Sequence, residues 1–288
     1  MIEIHGLLMR YKKIHEVLNI RELVFETGKS YGLVGHNGAG KTTLFKCITN
    51  IICDYQGTIA IDGVVVKDHN DVLSNVGIVL DGISVYRNRT GWFNIDYFSG
   101  LRGVDNRERA QRLAQELELH HALDHKVSTY SYGMQKKLIL LIALLSSPKV
   151  LILDEPFRGL DIETVKWFKS YLKQLTDHGL TLLISSHVQN DLEELCEEVF
   201  VINRGKIVDH IDLTVEKRKL IRVVDTSDNR AFIQLLDNAH FAYELVDDGK
   251  IKVDIGHASW SDIYNKLQQD NIEILELSKI KILEDKLN

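Results

Sequence analysis

The sequence predicts an α/β domain built on a largely parallel sheet, followed by a smaller α+β domain. Short apolar, β-branched runs alternate with helical patterns up to about residue 212, an order typical of parallel strands joined by crossover helices. Several of these runs are unbroken, as in strands that are covered on both faces. Beyond residue 212 the predicted order is strand, helix, strand, strand, helix, strand, which is that of a ferredoxin-like unit.

The boundary between the two predicted domains separates residues 1–212 from residues 213–288. The predicted strands of the first domain are short apolar stretches at 2–5, 23–26, 30–34, 58–61, 76–80, 150–153, 181–185 and 199–203. Its predicted helices have helical apolar spacing and lie at 41–50, 106–118, 134–146, 164–177 and 189–196. A charged connector at 215–220 leads to the predicted second-domain elements at 221–225, 229–236, 242–246, 250–255, 259–269 and 272–277. "DDGK", residues 247–250, predicts a hairpin turn within that domain.

The stretch "GHNGAGKTT", residues 35–43, matches the phosphate-loop pattern G-x-x-x-x-G-K-[ST] between an apolar strand and a helix. Glycines permit the torsions that point successive N–H groups at a phosphate, and the helix N-terminus adds to this anion site. Lys41 places a cation at the β- and γ-phosphates, and the Thr42 hydroxyl can ligate Mg²⁺. The candidate nucleotide-binding residues are Gly35, Asn37, Gly38, Ala39, Gly40, Lys41, Thr42 and Thr43.

Two further apolar stretches end in polar groups that suit phosphate chemistry. "VLILDEPFRGLD", residues 150–161, carries Asp154 and Glu155 to the carboxyl end of a strand, where open α/β sheets place ligands. Asp154 is a candidate to orient Mg²⁺, and Glu155 is a candidate to accept a proton from water. A helix-capping carboxylate pair is the alternative, which the upstream phosphate loop disfavours. "TLLISSHV", residues 181–188, adds His187 as a candidate partner of the γ-phosphate.

The stretch "YSYGMQKK", residues 130–137, is a polar turn before an apolar helix. By itself it fits either a simple loop or a phosphate grip that acts on another molecule. Its lysines, Lys136 and Lys137, are expected on a solvated face.

These motifs, in this order and spacing, resemble the ATP-binding subunit of an ABC transporter over residues 1–212. The resemblance implies a P-loop NTPase fold of the ABC type with a helical subdomain, ATP and Mg²⁺ as cofactors, and ATPase activity involving Lys41, Glu155 and His187. It implies that Tyr11 stacks on adenine and that Asp161 lies at a dimer contact. It also implies that Ser131, Gly133 and the helix N-terminus at Met134 grip the γ-phosphate held by a second subunit.

Three positions depart from the family pattern. Asp81 stands where the family has a glutamine that contacts Mg²⁺ and water, Tyr132 stands where it usually has glycine, and Met134 stands where it often has glycine. Asp81 can approach Mg²⁺ through water, which makes it a candidate metal contact together with Thr42 and Asp154. Alternatively, it caps the following segment. An acidic residue here, followed by residues 88–103, resembles bacterial exporters of the ABC-2 kind, including those for peptide-antibiotic export or self-immunity.

Composition limits the functional classes. The longest unbroken apolar run, residues 138–145, is shorter than the ~20 residues of a membrane span, and the first residues lack a signal-peptide pattern. Three cysteines without metal-ligand spacing predict buried, reduced thiols. The formal net charge of -6 disfavours a nucleic-acid surface.

We therefore expect an ATPase on the cytoplasmic face of the cell membrane that powers a separate multi-spanning permease. Its second partner is another ATP-binding subunit, identical or different, and no nucleic acid is expected. The alternative is a soluble ABC-type ATPase that acts on ribosomes or DNA. The C-terminal domain is expected to stabilise the dimer or to regulate the ATPase. The aromatic residues Trp92, Phe93, Tyr97 and Phe98 favour core packing and a permease-docking surface equally.

Overall fold

The computed structural model describes residues 1–11, 15–103, 106–217, 219–246, 249–256, 259–280 and 282–287. The chain divides into two compact units, Met1–Ile211 and Asp212–Asn288. The first ten strands are β1 (Ile2–Tyr11), β2 (His15–Phe25), β3 (Ser30–Val34), β4 (Gln56–Ile61), β5 (Val64–Val65), β6 (Val76–Val79), β7 (Val150–Asp154), β8 (Thr181–Ser185), β9 (Glu198–Asn203) and β10 (Lys206–Asp212). The first six helices are α1 (Lys41–Ile48), α2 (Gly91–Gly100), α3 (Arg107–Glu116), α4 (Tyr132–Leu145), α5 (Ile162–Asp177) and α6 (Gln189–Leu195).

The main sheet of the first unit has six strands in the order β10-β9-β3-β8-β7-β6. Strand β3 pairs in parallel with β8 and β9, and β7 pairs in parallel with β6 and β8. Every residue of β3, β7 and β8 is buried, which accounts for their unbroken apolar sequences. The predicted largely parallel sheet is confirmed, and it brings the carboxyl ends of these three strands to one edge.

A second sheet, which the sequence analysis did not predict, is antiparallel and has the order β2-β1-β4-β5. The strands predicted at 2–5 and 23–26 are much too short, because β1 and β2 pair from Ile2↔Phe25 to Tyr11↔His15. Exposed residues interrupt the apolar signal of β1, whose burial does not follow a regular two-residue alternation. The extension carries Tyr11 to the end of β1.

A two-residue turn between β9 and β10 braces the phosphate loop. Arg204 and Gly205 both have positive φ, 47° and 76°, as in a type I′ hairpin turn. The Gly205 amide donates to the Ala39 carbonyl at 2.8 Å, and the Gly205 carbonyl accepts from the Asn19 amide at 2.8 Å. A Cβ at position 205 would lie 2.1 Å from the Val17 carbonyl oxygen, so the close approach requires glycine.

Helix α4 begins two residues earlier than the predicted start at residue 134. Ser131 is its N-cap, because the side-chain hydroxyl accepts from the Met134 amide at 3.2 Å. Beyond the first turn the helix buries Leu138, Leu140 and Leu141 completely. The cap therefore fixes the start of α4, and the leucine-rich part anchors it in the first unit.

The second unit contains α7 (Leu213–Glu216), β11 (Ile221–Thr226), α8 (Asn229–Asn238), β12 (Tyr243–Leu245), β13 (Ile251–Asp254), α9 (Trp260–Gln269), β14 (Ile274–Lys279) and α10 (Ile282–Leu287). Its sheet is antiparallel, with the order β12-β13-β11-β14. Its core includes Val224, Phe232, Ile251, Ile263 and Leu267. Helix α7 occupies part of the predicted connector, since Asp212 caps the Thr214 amide at 2.8 Å. Residues 247 and 248 of the predicted "DDGK" turn lie outside the described residues.

Within the described part of the chain, no helix combines the length and the apolar character needed to cross a bilayer. Cys47 and Cys196 are buried, as expected, but Cys53 is exposed, so the prediction of three buried thiols is wrong there.

Candidate functional site

The phosphate loop joins the buried strand β3 to α1. The Lys41 ammonium lies inside the loop, where it donates to the Gly35 carbonyl at 2.6 Å and to the His36 carbonyl at 3.3 Å. Gly38 and Gly40 have φ of 81° and 114°, which side chains disfavour. A Cβ at Gly35 would lie 2.2 Å from the Ile202 carbonyl oxygen. The loop therefore surrounds the Lys41 ammonium. It packs so closely against β9 that position 35 requires glycine.

Asp154, the last residue of β7, is buried with a relative exposure of 2%. One of its carboxylate oxygens accepts from the Thr42 hydroxyl at 2.5 Å, and the other accepts from the Ser185 hydroxyl. Thr42 belongs to the first turn of α1, and Ser185 is the last residue of β8. This carboxylate therefore connects the phosphate loop to two neighbouring strands of the sheet.

Glu155 follows directly and adopts a positive φ of 48°, in the left-handed region. Its amide donates to the Ser185 carbonyl at 3.1 Å, and its carboxylate lies 2.7 Å from the His187 Nδ1 atom. The turn aims the Glu155 side chain away from the strand and toward the end of β8. Glu155 and His187 thus form a hydrogen-bonded pair at the carboxyl edge of the sheet.

The loop and the acidic residues border one open cleft of about 450 Å³. It is lined by Tyr11, Val17, Asn37, Gly38, Gly40, Lys41, Thr42, Thr43, Asp81, Tyr132, Lys136, Asp154, Glu155 and Arg158. Tyr11 is half exposed at the far end of β1, and Asp81 is exposed just after β6. The structure therefore brings Tyr11 and Asp81 to the same cleft as the phosphate loop and the acidic pair.

Among the other candidate residues, Gly35 and Ala39 belong to the phosphate loop and His187 lies beside Glu155, although none of the three lines the cleft. Ser131, Gly133 and Asp161 do not line it either. Asp161 caps α5 by accepting from the Thr164 amide at 2.8 Å, and it forms an ion pair with Lys137 at 3.0 Å. The Tyr132 ring covers Gly159, because a Cβ at position 159 would lie 2.3 Å from that ring. Contacts with Gly159 and Asp161 therefore hold the start of α4 against the 159–161 loop of the same chain.

Lys136 and Lys137 contradict the expectation that both lie on a solvated face. Lys137 is buried, with 8% relative exposure, and pairs with Asp161. Lys136 lines the cleft and donates from Nζ to the Glu155 carbonyl at 3.2 Å. Burial lowers the pKa of Lys136, against the opposite effect of nearby carboxylates. Arg158 is a second cleft residue that the sequence analysis did not single out; its sequence signal is proximity to the "DEP" segment.

Asp161 provides a test of the contact between α4 and α5. The Thr164 amide, the Thr164 hydroxyl and Lys137 hold the pKa of the Asp161 carboxyl below its usual range. A carboxyl with a lower pKa in the folded chain stabilises the fold above its unfolded pKa, and this contribution is lost as the pH falls through the folded pKa. We expect Asp161→Asn to lower the melting temperature at pH 7 by roughly 2 °C, a gap that narrows below pH ~4.

Differential scanning fluorimetry across pH measures this gap. Glu163→Gln is the matched control, since Glu163 lies in the first turn of the same helix and its ion pair with Lys166 is solvent-exposed. A gap between wild type and Asp161→Asn that stays constant on acidification would contradict the role of the ionised carboxylate.

Comparison with known proteins agrees with this geometry. The ABC transporter family model matches residues 18–158. The bacitracin transport ATP-binding protein BcrA of Enterococcus faecalis is 31% identical over 88% of this chain and 83% of its own length. BcrA of Bacillus licheniformis is 30% identical over 95% of this chain and 89% of its own length.

Solved structures share the fold. An ATP-binding subunit of an ABC transporter superimposes with a TM-score of 0.70 at 21% identity and covers 93% of this chain and 99% of that one. A dimeric ATP-binding cassette, MJ0796 bound to ADP and Pi, superimposes with a TM-score of 0.68 at 22% identity. The match covers 74% of this chain and 99% of that one. The chain belongs to the ABC transporter family, and it is an ATP-binding subunit with ATPase activity.

Proposed function

We propose that this ATPase uses Glu155 and His187 for hydrolysis and that two such subunits together power a separate membrane permease. The observation that carries the proposal is the single cleft that holds the Lys41 cation, the buried Asp154 carboxylate and the Glu155 side chain. Glu155 accepts the proton of the attacking water, and His187, 2.7 Å away, orients that carboxylate. Lys41 neutralises the charge on the phosphates.

The residues around Asp154 fit Mg²⁺. The Thr42 hydroxyl and the Asp154 carboxylate meet at 2.5 Å and are hard oxygen donors, the ligand type that Mg²⁺ prefers. Bound there, Mg²⁺ would neutralise charge on the β- and γ-phosphates. Asp81 faces the same cleft, where its carboxylate can reach the metal through water. Tyr11, at the end of β1, can stack on the adenine ring.

A composite site explains why Ser131 and Gly133 lie outside their own chain's cleft. The Ser131 hydroxyl caps α4, and the free N–H groups of that helix N-terminus suit an anion brought by another molecule. In a head-to-tail dimer this end of α4 contacts the γ-phosphate held by the partner's Lys41 loop, and Asp161 lies at the dimer contact. ATP then stabilises the closed dimer, and hydrolysis releases it, because the contacts exist in the closed state alone.

Glu155→Gln tests the composite site. The amide keeps the size of the side chain but cannot accept the proton, so we expect the ATPase rate to fall by roughly 100-fold or more. The ATP-bound protein should elute as a dimer in size-exclusion chromatography with ATP and Mg²⁺. Glu108→Gln, at an exposed site on α3, is the control that should hydrolyse ATP normally. A Glu155→Gln variant that binds ATP but remains monomeric would rule out the composite site.

An aromatic cluster on α2 supports a membrane partner. Phe93, Tyr97 and Phe98 pack around Tyr86, with ring centroids 5.2 to 6.2 Å from it. Tyr86, Phe93 and Tyr97 remain substantially exposed. Beside them lies an apolar groove of about 130 Å³ lined by residues that include Ile78, Val85, Phe98 and Ile142. Exposed apolar surface of this kind suits an interface, and we propose that it receives a cytoplasmic loop of the permease.

The docking proposal predicts the effect of removing the aromatic rings. Phe93→Ser combined with Tyr97→Ser should abolish co-purification of a multi-spanning membrane protein from detergent-solubilised cells, because the apolar contact area is lost. The ATPase rate of the purified subunit should stay unchanged. Tyr264→Ser, at an exposed position of the second unit, is the matched control. Co-purification that survives the double substitution would place the permease contact elsewhere.

The same purification distinguishes a subunit that powers a membrane permease from a soluble ATPase that acts on ribosomes or DNA. Ribosomal proteins or DNA in place of a membrane protein would favour a soluble ABC-type ATPase. The net charge of -6 weighs against that alternative. We propose peripheral attachment to the cytoplasmic face of the membrane and export of a peptide, an antibiotic or another amphipathic compound. The bacitracin transport relatives support this class of cargo.

We propose that the C-terminal unit stabilises the dimer. It has its own apolar core around Phe232 and Leu267, and within its described residues no group of three or more His, Cys, Asp or Glu side chains could hold a metal ion. Its charged side chains form ion pairs, for example Lys252 with Glu244 and Asp285. These features favour a structural unit over an effector-binding one.

Deletion of residues 214–288 tests this role. We expect the ATP-bound dimer of Glu155→Gln to weaken by roughly tenfold or more in its dissociation constant, since any contact area supplied by the unit is lost. Sedimentation velocity with ATP measures this constant, and the full-length Glu155→Gln protein is the reference. An intact dimer together with faster hydrolysis in the otherwise wild-type deletion would instead identify the unit as a regulator.

A further inference from the structure

Lys136 occupies a place in the cleft that its sequence context does not indicate. It lies in the second turn of α4, whose first residues Tyr132 and Gly133 follow the Ser131 cap. Its Nζ atom donates to the backbone carbonyl of Glu155 at 3.2 Å. This bond joins α4 to the turn that carries the hydrolytic carboxylate of the same chain.

The Glu155 turn needs such support because its backbone lies in the left-handed region, with a φ of 48°. The Glu155 amide is held by the Ser185 carbonyl, and the carboxylate is held by His187. The carbonyl accepts from the Arg158 amide at a long 3.4 Å and from Lys136 at 3.2 Å. Lys136 therefore makes the shorter of the two hydrogen bonds to the Glu155 carbonyl oxygen.

Charge gives Lys136 a second role. The cleft is lined by three carboxylates, Asp81, Asp154 and Glu155. The cations among its described lining residues are Lys41, Lys136 and Arg158. Without Lys136 the carboxylates would outnumber the cations, in a site that must also receive the phosphates of ATP. Asp81 would contribute most directly to that excess, because the hydroxyls of Thr42 and Ser185 stabilise Asp154 and His187 stabilises Glu155.

We propose that Lys136 is a positioning residue for ATP hydrolysis in its own chain. Its ammonium holds the Glu155 carbonyl and offsets the charge of Asp81, so that Glu155 stays in place when the phosphates enter. The proposal rests on Glu155 as the hydrolytic base. Helix α4 would then act on two sites: Ser131 and Gly133 contact the ATP of the partner, and Lys136, one turn later, acts in the cleft of its own chain.

The test compares Lys136→Met with Lys136→Arg in purified full-length protein. Methionine preserves the length of the side chain without charge, so we expect kcat to fall about tenfold, because the hydrogen bond to the Glu155 carbonyl and the charge that offsets Asp81 are lost together. The dissociation constant of ATP, measured by equilibrium titration of a fluorescent ATP analogue, should change less than about threefold. Arginine keeps the charge and should restore kcat to within about threefold of wild type. Lys149→Met, at an exposed site before β7, is the control.

A double-mutant cycle tests the link to Asp81. In an Asp81→Asn background the charge to be offset is gone, so Lys136→Met loses the hydrogen bond to the Glu155 carbonyl alone and should reduce kcat less than about threefold. Wild-type kcat in Lys136→Met would overturn the proposal, as would the same fold loss in both backgrounds. Glu155→Gln is assayed in parallel. If it retains hydrolysis, the assignment of Glu155 fails; if it is inactive while Lys136→Met is normal, the inference about Lys136 alone fails.

Discussion

The buried carboxylate of Asp154 is the interaction on which the rest of the site depends. A charge at 2% exposure is costly unless hydrogen-bond donors replace water, and the hydroxyls of Thr42 and Ser185 do so here. One donor belongs to the phosphate-loop helix α1, and the other ends the neighbouring strand β8. The order of strands in the parallel sheet is therefore a requirement of the site, since it brings both donors to one carboxylate.

Asp154 and Glu155 in the cleft and Asp161 outside it share a pattern: each is held by a partner from another segment of the chain. His187, beyond β8, holds the Glu155 carboxylate, and Lys137 of α4 holds Asp161 at the start of α5. The site is consequently a network between loops at one sheet edge, where open α/β sheets place ligands. A displacement of α4 would change the environment of both Asp161 and Glu155, because Lys137 and Lys136 are neighbours on that helix.

The sequence predicted the buried parts of the fold best. Strands β3 and β8 have the predicted bounds, because an unbroken apolar run marks a strand that is covered on both faces. The antiparallel pair β1–β2 was mostly missed, since its exposed residues dilute the apolar signal. The phosphate loop could be predicted because local torsion and charge dictate its residues. Lys136 could not, because its environment is set by Glu155, which is distant in sequence and adjacent in space.

The left-handed backbone of Glu155 has a consequence for the evolution of the chain. A non-glycine residue at φ 48° costs roughly 1 kcal/mol relative to relaxed backbone, and glycine would remove most of that cost. Glycine, however, has no carboxylate. The chain therefore carries a conformational penalty at the residue proposed to accept the proton from water. In a protein of this fold that does not hydrolyse ATP, glycine at the corresponding position would remove this penalty without loss of activity.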